Sequence, residues 1–206
     1  MSRLGTFGAL GTKKTMKHTT TRMVAAHWNK IRGRRRVPDR ADVDPGAIRP
    51  ALPDTFILYD NGLSKLTFRL AGTRVCGLFG RELKASPFRD VWDQPNRGSV
   101  DLLSGSVADE FIGVVGGAVG WTSEGYSVDL EWLLLPLRHR DHGQVRLLGA
   151  IAPLAAPYWL ESSHITTLAL KDYRYLGAHV DDAPATGAAF AARWRNGLRV
   201  YEGGRV

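Results

Sequence analysis

A single cysteine, Cys76, stands in a chain of 206 residues. An intramolecular disulfide is therefore excluded, and a small thiolate zinc site has nothing to be built from; a reducing compartment, the cytoplasm, is the expected location. Long apolar runs are also lacking. No stretch approaches the ~20 continuous apolar residues of a membrane-spanning helix, so no transmembrane segment is expected. Residues 1–16 carry basic side chains without the apolar region and small-residue cleavage site of a secretory signal. The glycines form neither a G-x-G-x-x-G opening a helix nor a P-loop ending in lysine, which argues against nucleotide hydrolysis. The six histidines (His18, His27, His139, His142, His164 and His179) include no His-x-x-x-His helix pair, and no serine has a nucleophile-elbow context.

What is present suits one domain with extensions: the length fits one core of ~100–200 residues, and 44% hydrophobic residues is ordinary for a folded protein. The net charge of +8 is unevenly placed. Residues 1–40 hold eleven Lys and Arg against one acid, Asp39, whereas residues 41–206 hold seventeen against nineteen Asp and Glu. The basic character belongs to an amino-terminal arm and not to the body, so a fold shaped around nucleic acid is not expected.

Periodicity divides the chain. Residues 1–15 have none and read as disordered, with Met16 as an alternative start. Residues 19–32 place Met23, Ala26, His27, Trp28 and Ile31 at helical spacing, with Thr19, Thr20 or Thr21 as N-cap and Gly33 as stop. Arg34, Arg35, Arg36, Pro38 and Pro45 then make a charged, extended linker, and Asp44-Pro45 opens one helical turn that ends before Pro50. Residues 55–59 and 66–71 read as a hairpin turning at Asp60, Asn61 and Gly62. Short helices are expected over 73–79 and 87–92 and a longer one over 97–110. Apolar stretches at 111–121, 126–137 and 145–154 form an antiparallel meander, with a bulge or close backbone approach at Gly116 and Gly117. Residues 165–175 suit a strand or a helix, and Phe190, Trp194 and Leu198, four apart, suggest a terminal amphipathic helix. The boundaries are thus an arm over 1–18, a helix and basic linker over 19–44, a domain over 45–175 and an extension over 176–206. The fold class is α+β, with about five antiparallel strands and the helices inserted between the two halves of the sheet.

Several words in this chain resemble the PAS_5 family of PAS-like proteins. They are Trp28 with Arg32-Gly33; Pro38-Asp39-Arg40-Ala41-Asp42 with Asp44-Pro45 and Ile48-Arg49; Phe68-Arg69-Leu70-Ala71-Gly72-Thr73; Leu78-Phe79-Gly80-Arg81-Glu82-Leu83 with Phe88 and Trp92; Leu133-Leu134-Leu135-Pro136-Leu137; and Leu148-Gly149-Ala150 with Pro157-Tyr158-Trp159-Leu160. The resemblance implies a PAS-like five-stranded sheet and a sensory or regulatory role in bacterial signal transduction without a catalytic residue. It further implies a signalling partner such as a histidine kinase, and pairing of two copies through residues 19–32. It names no cofactor; the identity of any ligand stays unknown.

Candidate sites follow from side-chain chemistry. Cys76 lies between Arg74-Val75 and Gly77-Leu78 and lacks the preceding asparagine of flavin-reactive light sensors, so it reads as a core or pocket-wall cysteine. His139 and His142 read as part of a solvated loop. Asp129 and Glu131 share one side of a strand, and with Leu130 and Trp132 on the other they mark its wet face. Phe68, Leu70, Cys76, Phe79, Trp92, Val114, Trp132 and Leu148 fall on inward positions and would line a pocket, or fill a core in its place. Arg32, Arg34, Arg35 and Arg36 form a solvated linker or, in the alternative function, attach the protein to nucleic acid or another anionic surface.

Overall fold

The computed structural model describes residues 16–60, 66–138, 145–176, 193–195 and 198–200. Among the described residues, helices α1 (Thr19–Arg32), α2 (Thr73–Leu78) and α3 (Arg97–Glu110) accompany strands β1 (Thr55–Asp60), β2 (Leu66–Ala71), β3 (Val114–Thr122), β4 (Ser127–Arg138), β5 (Val145–Pro153) and β6 (Ile165–Tyr175). The expected hairpin, inserted helices and meander all form, but the sheet has six strands, in the order β2-β1-β5-β4-β3-β6, with every pairing antiparallel. The sixth is the segment that suited either a strand or a helix. It pairs along β3 and skips one residue at Gly117/Ala118. At Gly116 a Cβ would stand 2.4 Å from the Asp172 carbonyl oxygen and 2.8 Å from the Trp132 ring, so only glycine lets β3 and β6 approach this closely.

The sheet is clad on both faces, giving two separate apolar clusters. One holds Phe56, Phe68, Phe88, Trp92, Trp132 and the inward residues of α2 and α3. The other packs Val24, Ala25 and Trp28 of α1 against Ile57, Leu133, Leu135, Leu137, Leu148 and Ala150. Because both faces are covered, β4 reads as a continuous apolar run at Leu133–Leu137 with no alternation. Trp28 also donates its Nε1–H to the Pro136 carbonyl at 2.8 Å.

Helix α1 departs from the expected pattern at its start. Its N-cap is His18, extended at φ −85° and ψ 143°, whose Nδ1 accepts the Thr20 N–H at 3.1 Å. Ala26 is exposed, while Thr20 and Thr21 are buried. Gly33, at φ 56°, ends the helix.

The segment after α1 is no solvated linker. Val37 and Val43 are buried against the α1 cluster, and the Arg138 N–H donates to the Pro38 carbonyl at 3.0 Å. Asp44 Oδ1 accepts the Gly46 N–H at 2.8 Å, which starts a 3₁₀ segment over Gly46–Asp54. That segment runs past Pro50, beyond the single turn expected, by kinking at Ile48 (φ −118°, ψ 22°).

Both sheet edges are partly occupied. Phe68 on β2 donates to Ser86 and accepts from Ala85, at 2.9 and 2.8 Å, and the Asp93 N–H donates to Leu168 on β6 at 2.9 Å. Near the carboxy terminus, Arg193–Arg195 and Leu198–Val200 pair as a short antiparallel ribbon. The fourfold spacing of Trp194 and Leu198 suggested a helix; Trp194 between two arginines also alternates with the period of a strand. Phe190, Asn61, Gly62 and the loop with His139 and His142 lie outside the described residues.

Candidate functional site

The interior of the helix-covered face is an aromatic chain. Phe56 and Phe68 meet edge-on at 5.4 Å between ring centroids, Phe56 and Phe88 stack at 5.7 Å, and Phe88–Trp92 and Trp92–Trp132 meet edge-on at 6.0 and 5.6 Å. Offset and edge-on contacts of this kind fill space while matching ring quadrupoles. The cavity left among them is about 10 Å³. Small-molecule pockets run to ~300–1,000 Å³, so the interior is closed. Trp92 is fully buried, and among the described residues its Nε1–H meets no acceptor.

Of the eight residues expected to line this region, Phe68, Phe79, Trp92 and Trp132 line the residual cavity and Val114 is buried in the same cluster. Cys76 is half-buried against that cluster. Its Sγ lies 3.6 Å from Glu82 Oε1, and burial, followed by the neighbouring carboxylate, pushes its thiol up from the ordinary value. A thiol so held is a poor nucleophile.

Two of the eight are elsewhere. Leu70 is exposed: the β1–β2 register shifts between Ile57 and Leu58 and skips Arg69, so Leu70 pairs with Ile57 of the α1 cluster and not with a residue of the aromatic cluster. Leu148 faces α1, opposite the expected side, and its neighbour Leu147 is the one in the aromatic cluster. Phe56, Phe88 and Leu168 line the cavity without having been singled out; the alternation of Phe56 with Leu58 was the signal for the first.

The opposite face carries the polar machinery. Glu131, expected on a wet face, is 6% exposed. It accepts the backbone N–H groups of Lys17 and His18, each at 2.8 Å, and the Thr21 hydroxyl. A carboxylate from the central sheet thus satisfies the orphan donors at the head of α1 and complements the helix dipole. Asp54, also buried, accepts Thr20 Oγ1–H at 2.8 Å and a two-pronged contact from Arg74 Nε and Nη2 at 2.6 and 2.7 Å. Arg74 lies on α2, so one carboxylate ties helices on opposite faces of the sheet. The bond to Asp54 raises the Arg74 guanidinium above its usual value. Asp129 stays exposed and pairs with Lys171 at 3.0 Å.

Beside Glu131 lies a groove of about 50 Å³, floored by Gly116 and Gly117 and edged by Lys17, Asp172 and Arg174. Asp172 Oδ1 accepts the Gly117 N–H at 3.1 Å. Burial lowers the Arg174 guanidinium below its usual value, and Glu131 offsets part of that.

Most of the arginines read as a solvated or anion-binding strip are structural. Arg35 donates to the Ile31 carbonyl and pairs with Asp42, both at 2.6 Å, closing the end of α1. Arg36 donates to the Glu110 carbonyl and sits over Phe111, 5.4 Å from its centroid. Arg32 covers Trp28 at 5.2 Å and donates to Asn29 at 2.6 Å. Arg34 is exposed. Pairing of copies through residues 19–32 meets a similar obstacle. The apolar face of α1 is spent on its own sheet, and the exposed row is Thr19, Arg22, Ala26 and Lys30.

Residues 16–152 match the family model described as PAS domain. No curated protein matches the chain. Among solved structures, the chain is similar to the PAS domain of a protein from Colwellia psychrerythraea (14% identity, 53% of this chain and 97% of that one, TM-score 0.40). It is also similar to a light-oxygen-voltage domain studied with a flavin analogue (13%, 57% and 87%, TM-score 0.42) and to the aureochrome1 light-oxygen-voltage domain (13%, 56% and 91%, TM-score 0.41). The family match spans both clusters, from the buried Met16 to Ala152 on β5. The chain belongs to the PAS domain family.

Proposed function

We propose that this protein is a non-catalytic regulatory module of bacterial signal transduction that works by binding a protein partner, a histidine kinase being the class its family resemblance implies. The observation that supports this reading is the closed aromatic interior. With about 10 Å³ left between Phe56, Phe88, Trp92 and Trp132, a flavin or haem has no room, and recognition falls to the surface. Recognition without chemistry also suits the pattern of buried carboxylates, since Glu131 and Asp54 are both committed to holding α1.

Two measurements test the proposal. Native mass spectrometry of freshly purified protein is expected to give the mass of the polypeptide alone; a small molecule retained at one per chain and lost in Trp92→Ala would mean that the interior opens and senses. Adding the protein to purified sensor kinases from its own cell is expected to change the autophosphorylation rate of one of them. Rates unchanged across the whole set would remove the regulatory role.

A further inference from the structure

The groove on the α1 side holds a cation whose hydrogen-bonding capacity nothing in the described chain uses. Arg174 is half-buried on β6, opposite Val115, and among the described residues no hydrogen bond or ion pair engages its guanidinium. The acids beside it are committed elsewhere. Glu131 takes the N–H groups of Lys17 and His18 and the Thr21 hydroxyl, and Asp172 Oδ1 takes the Gly117 N–H. A half-buried guanidinium without a partner in the described chain gains from a counter-ion that its planar fork can hold through two parallel bonds.

We infer that this groove is a binding site for a small monocarboxylate, gripped at its carboxylate by Arg174 and lying with a short apolar stem over Gly117 against Val115 and Leu154. Three features select that class. The volume of about 50 Å³ admits only a few heavy atoms. Val115 and Leu154 supply apolar walls. The neighbouring Glu131 and Asp172 repel a doubly charged phosphate more strongly than a singly charged carboxylate. An occupant would also touch Lys17, the residue that Glu131 holds at the head of α1. This inference is independent of the partner-binding reading, because it concerns the outer face of the sheet and not its interior.

An amide NMR titration of the full chain with sodium propionate, at constant ionic strength and beside inorganic phosphate, tests it. Saturable shifts at Gly116 and Gly117 are expected with propionate and weaker binding with phosphate. Arg174→Gln should bind propionate at least about tenfold less tightly, the loss expected for a charge-assisted pair. Gly117→Ala is the second variant; its methyl would sit 3.2 Å from Asp172 Oδ1 at the groove floor while leaving Arg174 in place, and it should also weaken binding. Shifts that never saturate, propionate affinity unchanged in both variants, or tighter binding of phosphate would each overturn the assignment.

Discussion

The Thr21 hydroxyl donates to the Glu131 carboxylate across 110 residues of chain, joining the first turn of α1 to the central strand of the sheet. The same carboxylate holds the backbone of Lys17 and His18. The helix is therefore anchored at its amino-terminal end by a group that belongs to the domain, and at the other end by its own Arg35.

Glu131→Ala should leave the buried Thr21 hydroxyl and the part-buried amides of Lys17 and His18 without this acceptor and destabilise the protein by about 2–4 kcal/mol. Urea unfolding measures the loss, and amide exchange should speed up first at residues 18–22. A change below ~0.5 kcal/mol, the size of an ordinary surface substitution, would show that water replaces the carboxylate.

Trp92 closes the aromatic interior, so Trp92→Ala should cost about 3–5 kcal/mol by opening a cavity among Phe88, Trp132 and Leu168. Indole, which restores the missing ring system, should raise the thermal midpoint of the variant and not that of the wild type. Equal responses would mean that the surroundings collapse into the space.

His27 carries a pH dependence with a definite sign. It is buried, its Nε2 accepts the Asp44 N–H at 3.3 Å, and burial lowers its pKa, opposed by Asp44 and helped by Lys30. The unfolded chain, with an ordinary imidazole near ~6.5, then binds the proton more readily than the folded one. This contribution to stability is complete above ~6.5 and declines as pH falls toward the depressed folded value. The denaturant midpoint of His27→Gln, which keeps an acceptor but cannot titrate, should fall less between neutral pH and that window than the wild type's.

Asp54 receives Thr20 from one face of the sheet and Arg74 from the other. A double-mutant cycle of Thr20→Val and Arg74→Gln should give a coupling of about 0.5–1 kcal/mol, kept small because the Arg74 side chain is 57% exposed. Strict additivity would mean that the carboxylate serves its two partners independently.

Much of this architecture is legible in the sequence. The bounds of α3 match its helical spacing, and the hairpin and meander follow from apolar stretches broken by turn residues. The polar anchors are not legible, for a physical reason. His18, Thr21 and Glu131 look like solvent-facing residues, and only their meeting across more than a hundred positions makes burial favourable. Leu70 illustrates a second limit, since one skipped residue at Arg69 reverses which side of the strand faces inward. Leu147 and Leu148 illustrate a third: with cladding on both faces, two adjacent leucines are both buried, and alternation carries no information.

The contacts of Ser86 and Ala85 along β2, and of Asp93 on β6, bear on behaviour at high concentration. A strand from a neighbouring molecule that approached either border would find the Phe68 amide and carbonyl, or the Leu168 carbonyl, already engaged. Lateral growth from one molecule to the next is thereby hindered at one position on each rim.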